Sequence, residues 1–143
     1  MTNLFAIRES VNGARNLILD VEIAGDGASG EIDDLLVEVG AFGCDEVRLD
    51  AIQGNIIADP SENPADDSFT IDLFWDGPTQ VPLFTIPSNL DLNYDWSKGS
   101  GKTNEKVAGY TGDVRLVTNG LGSNESASLR FHFIKKRINP RIP

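Results

Sequence analysis

Apolar residues at every second position mark the stretch 68–77 as the segment around which the chain is organised. The alternating residues are Phe69, Ile71, Leu73 and Trp75. Side chains of a β-strand alternate between its two faces, so these four residues line one face. Phe74 breaks the alternation, which indicates that the second face is also covered near Trp75. The pattern predicts a central strand that ends at a turn over residues 76–78.

Similar patterns predict further strands on both sides of this segment. The predicted strands cover residues 14–23, 31–39, 47–57, 81–86, 90–96, 114–118 and 127–133. Residues 31–39 also fit one face of a helix, but their β-branched residues and the glycines that follow favour a strand. Gly54 predicts a bulge, and residues 4–8 predict an edge strand or an arm. The turn sequence at 119–122 predicts a hairpin between the last two strands.

Eight or nine short strands without a convincing helix predict an all-β fold, a single antiparallel β-sandwich with the jelly roll as one topology. The length of 143 residues suits one domain. We expect residues 1–134 to form the sandwich and residues 135–143 to form a short, extended, basic C-terminal arm. The predicted core comprises Leu19, Val21, Ile71, Leu73, Trp75, Leu116, Leu129, Phe131 and Phe133.

The net charge of −10 is distributed unevenly along the chain. The first 129 residues contain seven lysines and arginines and all 22 acids, which leaves them near −15, whereas the last 14 residues carry +5. An acidic body repels nucleic acids and anionic membranes, so we expect neither as a partner. Residues 1–10 contain neither a secretory signal nor an apolar span, which predicts a protein made and kept in a soluble compartment.

The residue types that support most catalysis are scarce. Cys44 is the single cysteine, which excludes an internal disulfide and a thiolate zinc site, and we expect it to be a buried thiol. His132 is the single histidine, and its position between Phe131 and Phe133 places it on the outer face of a strand. The sequence therefore predicts no enzyme, no cofactor and no required metal.

Two patterns suggest chemistry without meeting its requirements. The sequence GSGKT at 99–103 resembles part of a phosphate-binding loop, but Trp96 occupies the position of the first glycine and no helical pattern follows. Acidic residues at 26, 31–34 and 59–67 offer calcium ligands without the spacing of a helix-loop-helix site, so solvated loops are expected.

Carboxylates and aromatic residues leave two sugar-related alternatives open. Acids at 72, 76, 91 and 95 would serve sugar hydrolysis if they converged in space. Trp75, Tyr94 and Trp96 would form a platform for a sugar if they shared an exposed face, although core packing is the commoner fate of large aromatic residues on strands.

The second half of the chain resembles a group of small β-sandwich virion proteins that are encoded beside capsid genes in tailed bacteriophages. Three motifs carry this resemblance: IDLFWD at 71–76, GDVRLVTNG at 112–120, and a last strand that ends FIKK at 133–136. The resemblance covers residues 69–136 and implies no catalytic residue. It implies a structural protein of the phage head, a capsid decoration or cement protein. A carbohydrate-binding module of an adsorption apparatus and a neck or head-to-tail component are the alternatives.

The basic end of the chain is the predicted partner-binding site. Its cations and apolar anchors are Lys135, Lys136, Arg137, Ile138, Arg141 and Ile142. Prolines at 140 and 143 disfavour continued strand pairing, and a purely solvated segment has no need of the two isoleucines. The expected partners are the major capsid protein or other virion subunits, with a homo-oligomer, such as a trimer, as a further expectation. The expected location is the phage head, after synthesis in the host cytoplasm.

Overall fold

The structure, a computed structural model, describes most of the chain. The described residues are 3–27, 30–57, 69–99, 101–103, 109–122 and 125–138. They form an all-β, antiparallel β-sandwich, as the alternating pattern predicts.

Nine strands make up the two sheets of the described chain. They are β1 (Leu4–Asn12), β2 (Asn16–Ala24), β3 (Asp33–Val37), β4 (Cys44–Ile57), β5 (Thr70–Trp75), β6 (Val81–Ile86), β7 (Asn89–Asp95), β8 (Val114–Asn119) and β9 (Ser126–Ile138). A short 3₁₀ helix, Val39–Phe42, lies between β3 and β4. The ambiguous segment 31–39 is therefore mainly a strand.

The two sheets differ in width. One has five strands in the order β1-β2-β9-β4-β7, and the other has four in the order β3-β8-β5-β6. The predicted central strand is confirmed, because β5 lies between β8 and β6. β1 and β3 each pair with one strand and are edges of their sheets, as are β6 and β7.

Apolar side chains from both sheets fill the space between them. All nine predicted core residues are buried, with at most 3% of their surface exposed. Cys44 is also buried, and this burial raises the pKa of its thiol. His132 lies on the outer face between two buried phenylalanines, as its parity predicts.

The predicted hairpin between the last two strands is wrong. β8 pairs with β3 and β5, whereas β9 pairs with β2 and β4, so the connection crosses from one sheet to the other. Leu121 is buried in this connection. The carboxylate of Glu31 accepts hydrogen bonds from the backbone N–H groups of Gly120 and Leu121, both at 3.1 Å. The turn is thus tied to the segment before β3.

The predicted boundary between the domain and its arm is also displaced. β9 continues to Ile138, where it pairs with Cys44 at the start of β4. Residues 135–138 are therefore part of the sandwich, because their backbone groups complete the ladder with β4. Residues 139–143 of the predicted arm lie outside the described residues.

Candidate functional site

Aromatic side chains close one of the two open sides of the sandwich, where the edge strands β6 and β7 lie. The ring of Phe84 packs edge-on against Tyr94 and Trp96, with centroid distances of 4.9 and 5.0 Å. The rings of Tyr94 and Trp96 are parallel within 6°. The ammonium group of Lys102 lies 5.2 Å from the centre of the Trp96 ring, which suits a cation–π contact. These contacts cover the margin of the core.

The predicted aromatic platform is only partly assembled. Trp75 is 3% exposed and belongs to the core. Tyr94 and Trp96 do lie together, but their third partner is Phe84, and all three pack against the core as half-buried residues. The three rings use their faces and edges on one another and on the core, so they do not form an open platform.

The opposite side of the sandwich, between β1 and β3, is open. Because the first sheet has one strand more than the second, β1 extends past the neighbouring sheet and eight of its nine residues are exposed. Three exposed residues of β1 are large and apolar: Leu4 at 51%, Ile7 at 39% and Val11 at 39%. We call this side, formed by β1, β3 and the 3₁₀ helix, the open edge.

A groove of about 600 Å³ runs along the open edge. It is lined by Ile7, Arg8, Glu9, Asp34, Leu35, Leu36, Glu38, Ala41 and Phe42. Ile7 faces inward, since its register partner is the buried Val21 of β2. The sequence pattern does not identify this groove. Its one signal is the presence of apolar residues at both parities of residues 4–11, which suits a strand that contacts partners on both faces.

Charged side chains on the outer face fix β1 to the sheet. Arg8, Asp20 and Arg130 are aligned across β1, β2 and β9 by the strand register. The Asp20 carboxylate accepts hydrogen bonds from Arg130 at 2.7 Å and from Arg8 at 2.9 Å. These two guanidinium groups, Arg130 first, lower the pKa of Asp20 to about 2. One carboxylate thus joins three strands.

Both ends of β1 are anchored as well. At its start, the Asn3 side chain donates to the backbone oxygen of Gly30 and accepts from the N–H of Asp26. At its end, the ammonium group of Lys135 donates to the side chain of Asn12 at 2.6 Å and to the backbone oxygen of Gly13 at 2.7 Å. The exposure of β1 is therefore a property of a firmly held strand.

The groove carries negative charge around an apolar floor. Glu9, Asp34 and Glu38 contribute carboxylates, and none of the three forms an ion pair with another described residue. Arg8, the cation of the groove, is already paired with Asp20. Leu35, Ala41 and Phe42 supply apolar surface between them. Such a groove suits an extended segment that combines a cation with an aliphatic side chain.

The structure separates the predicted partner-binding residues into different environments. The prediction that Lys135 belongs to an exposed arm is wrong. Lys135 is 6% exposed, and its ammonium group donates a hydrogen bond to Asn12 within the sandwich. Lys136 is exposed, and Arg137 and Ile138 belong to the paired part of β9. Arg141 and Ile142 lie outside the described residues. For Lys136, Arg137, Ile138, Arg141 and Ile142 a role in binding stays a prediction.

The described residues of the GSGKT sequence form backbone hydrogen bonds within the protein. Its Lys102 exchanges two backbone hydrogen bonds with Leu49, and the N–H groups of Gly99 and Gly101 both point to the backbone oxygen of Trp96. These amides are therefore occupied by a protein carbonyl. No helix follows the motif among the described residues.

The four aspartates considered for sugar hydrolysis are divided between the sheets. Asp72 and Asp76 belong to β5 and the residue after it, whereas Asp91 and Asp95 belong to β7. Hydrogen bonds from Ser97 lower the pKa of Asp95, which is the opposite of what a general acid requires. Asp76 is paired with Arg115 at 3.1 Å. The arrangement is that of structural carboxylates.

Comparisons with protein-family models, with curated proteins and with solved structures found no match. In the described part of the chain, no helix has the length and apolar character needed to span a membrane. The same residues contain no group of three or more histidine, cysteine or acidic side chains arranged to hold a metal ion.

Proposed function

We propose that this protein is a structural component of a tailed-phage virion, a decoration or cement protein that binds the outside of the head shell. The observation that carries the proposal is the open edge, which presents an anchored strand with exposed apolar residues on both faces. Its partners are the major capsid protein or other virion subunits, including further copies of itself.

The contrast between the two sides of the sandwich supports an assembly role. Unpaired edges invite pairing with other chains, and proteins normally cover them or blunt them with charge. Here aromatic residues cover much of the β6–β7 side, where Leu90 alone among the large apolar residues described is exposed, whereas the β1–β3 side exposes Leu4, Ile7 and Val11 along a single strand. An exposed apolar surface on a rigid strand is typical of a protein–protein contact.

The order of the strands supports a virion setting. We interpret the orders β2-β9-β4-β7 and β3-β8-β5-β6 as a jelly roll to which β1 is added. Jelly rolls are common in viral capsid domains, although they also occur in lectins and cupins. The resemblance of residues 69–136 to phage virion proteins favours the first of these groups.

Counting copies in purified virions tests this proposal. The measurement is quantitative mass spectrometry of purified virions, with the major capsid protein as the reference for copy number. A decoration or cement protein is expected in hundreds of copies, because it follows the symmetry of the shell. A dozen copies or fewer would contradict decoration and indicate the neck or head-to-tail component. Absence from the virion would contradict a structural role altogether.

A further inference from the structure

We propose that the groove of the open edge binds residues 139–143 of a second copy of this chain. In this contact Ile142 packs on the apolar floor and Arg141 lies among the groove carboxylates. The inference rests on the proposed function only in taking the open edge as an assembly surface, and it names the partner: another copy of the same protein.

The chemistry of the segment matches that of the groove. The sequence after Ile138 is Asn-Pro-Arg-Ile-Pro, which places a cation directly beside an isoleucine. In an extended chain such neighbours point to opposite sides, so the isoleucine can face the floor while the arginine faces a rim. The rims supply Glu9, Asp34 and Glu38, three carboxylates without an ion pair among the described residues.

The two prolines reduce the entropy that docking costs. A residue that precedes proline favours extended backbone, and Asn139 and Ile142 both precede prolines. A segment with few alternative conformations loses less freedom when it is fixed in a groove. The same prolines lack a backbone N–H group, which makes side-chain contacts the main source of specificity.

Distances along the sheet place the β1 side of the groove beyond the reach of the same chain's segment. Glu9 is level with Leu19 of β2 and Phe131 of β9. Ile138 lies seven residues beyond Phe131, which corresponds to about 23 Å along the strand, and β1 lies about 10 Å to the side. Ile142 follows Ile138 by four residues and lies at most about 14 Å from it. The segment therefore cannot bring Ile142 to Ile7 or Glu9 of its own chain. The 3₁₀ helix directly precedes Cys44, the register partner of Ile138, so only a contact that includes the β1 side of the groove requires a second copy.

The oligomeric state of the isolated protein tests the inference. Sedimentation over a range of concentrations is expected to show association for the full chain. The double variant R141E/I142S is expected to associate at least tenfold more weakly, because it replaces the cation by an acid and removes the apolar anchor. The matched control K98E reverses an exposed charge in the turn after β7, at the opposite margin of the sandwich, and is expected to associate like the wild type.

A mixing experiment identifies the groove as the acceptor. E9R/D34R reverses the charge of the groove and keeps the segment, whereas R141E/I142S keeps the groove and changes the segment. Each variant alone is expected to be monomeric, and an equal mixture is expected to form mixed oligomers, because one intact groove meets one intact segment. Circular dichroism and melting temperatures matching the wild type show that both variants are folded.

Three results would overturn the inference. They are a monomeric wild type at the highest concentration tested, unchanged association of folded R141E/I142S, or no mixed oligomer from the two folded variants. If the wild type is a monomer and the R141E/I142S substitution lowers its melting temperature, the segment docks on its own chain. A wild-type protein that is monomeric but binds head shells would contradict this inference and agree with the proposed function. A wild-type protein that forms oligomers but binds no shell would agree with this inference and contradict the proposed function.

Discussion

At the scale of single residues, charged side chains that look alike in the sequence have different roles in the fold. Lys135 and Lys136 are neighbours in a basic run, yet the first is buried and the second exposed. The difference follows from strand alternation, which turns Lys135 towards the core side together with Phe131 and Phe133. A run of charge is therefore a poor guide to which cations are available for a partner.

Replacing Lys135 by Met should destabilise the fold by about 2 kcal/mol. The substitution keeps most of the aliphatic stem but removes the charged donor, and hydrogen bonds from charged groups contribute about 1.5–3 kcal/mol. Asn12 and the backbone oxygen of Gly13 would lose this donor. Urea denaturation measures the change. K136M is the control, expected within about 0.5 kcal/mol of wild type, and equal effects of the two substitutions would refute the distinction.

Asp20 should make the stability of the protein sensitive to acid. Its folded pKa of about 2 lies below the value of about 3.9 for an unfolded aspartate. Its contribution is therefore fully present above pH 4 and lost as the pH falls from about 4 to 2. D20N should lower stability at neutral pH by about 1 kcal/mol, a modest value because both arginines are solvent-exposed.

The measurement is urea denaturation of wild type and D20N at several pH values. The difference between the two proteins should shrink as the pH falls below 4. D91N, which changes an exposed aspartate without an ion pair among the described residues, should follow the wild type at every pH. A constant difference between wild type and D20N from pH 7 to pH 2 would show that the carboxylate charge is not the cause.

At the scale of elements, the alternation of apolar residues predicted where the strands lie. The exposure, length and connections of the strands depend on which strands become neighbours in the fold. β2 and β5 were predictable because one of their faces is uniformly apolar. The exposure of β1 was not predictable, since it depends on the five-stranded sheet being wider than its partner. The extension of β9 was missed because backbone pairing with β4 is independent of side-chain charge. The 119–122 turn was misassigned because turn chemistry does not distinguish a hairpin from a crossing between sheets.

Gly54 should be essential for the pairing of β4 with β9. Its φ is +133°, and an added Cβ would lie 2.0 Å from the backbone oxygen of Ser128. The predicted bulge is confirmed by the register shift between Gly54 and Ile56 in the pairing with β7. G54A should therefore destabilise the fold by more than about 2 kcal/mol or prevent folding.

Gly40 provides the matched control for this substitution. A Cβ added there meets no atom within 4 Å, and its backbone does not require positive φ. G40A should change the free energy of unfolding by less than about 1 kcal/mol in either direction. Thermal unfolding of the two variants is the measurement, and a G54A protein that melts like G40A would contradict the packing described for β4.

At the scale of the whole molecule, the two margins of the sandwich have different characters. One margin is largely covered by aromatic residues and a lysine, and the other holds an anchored, exposed strand beside an acidic groove. The chain was predictable as an acidic β-sandwich from its sequence. The position of the proposed assembly surface was not, because this surface combines β1 with β3 and the 3₁₀ helix, which lie much later in the sequence.

The binding of edge variants to head shells tests most directly the claim that the open edge is the assembly surface. L4K/V11K places two lysines on the outer side of β1 and leaves the groove residues unchanged. L90K is the matched control, because Leu90 is 74% exposed on β7, at the opposite margin. Cosedimentation with shells that lack the protein should show binding at least about tenfold weaker for L4K/V11K and unchanged binding for L90K. Folded L4K/V11K that binds shells as tightly as the wild type would contradict the account.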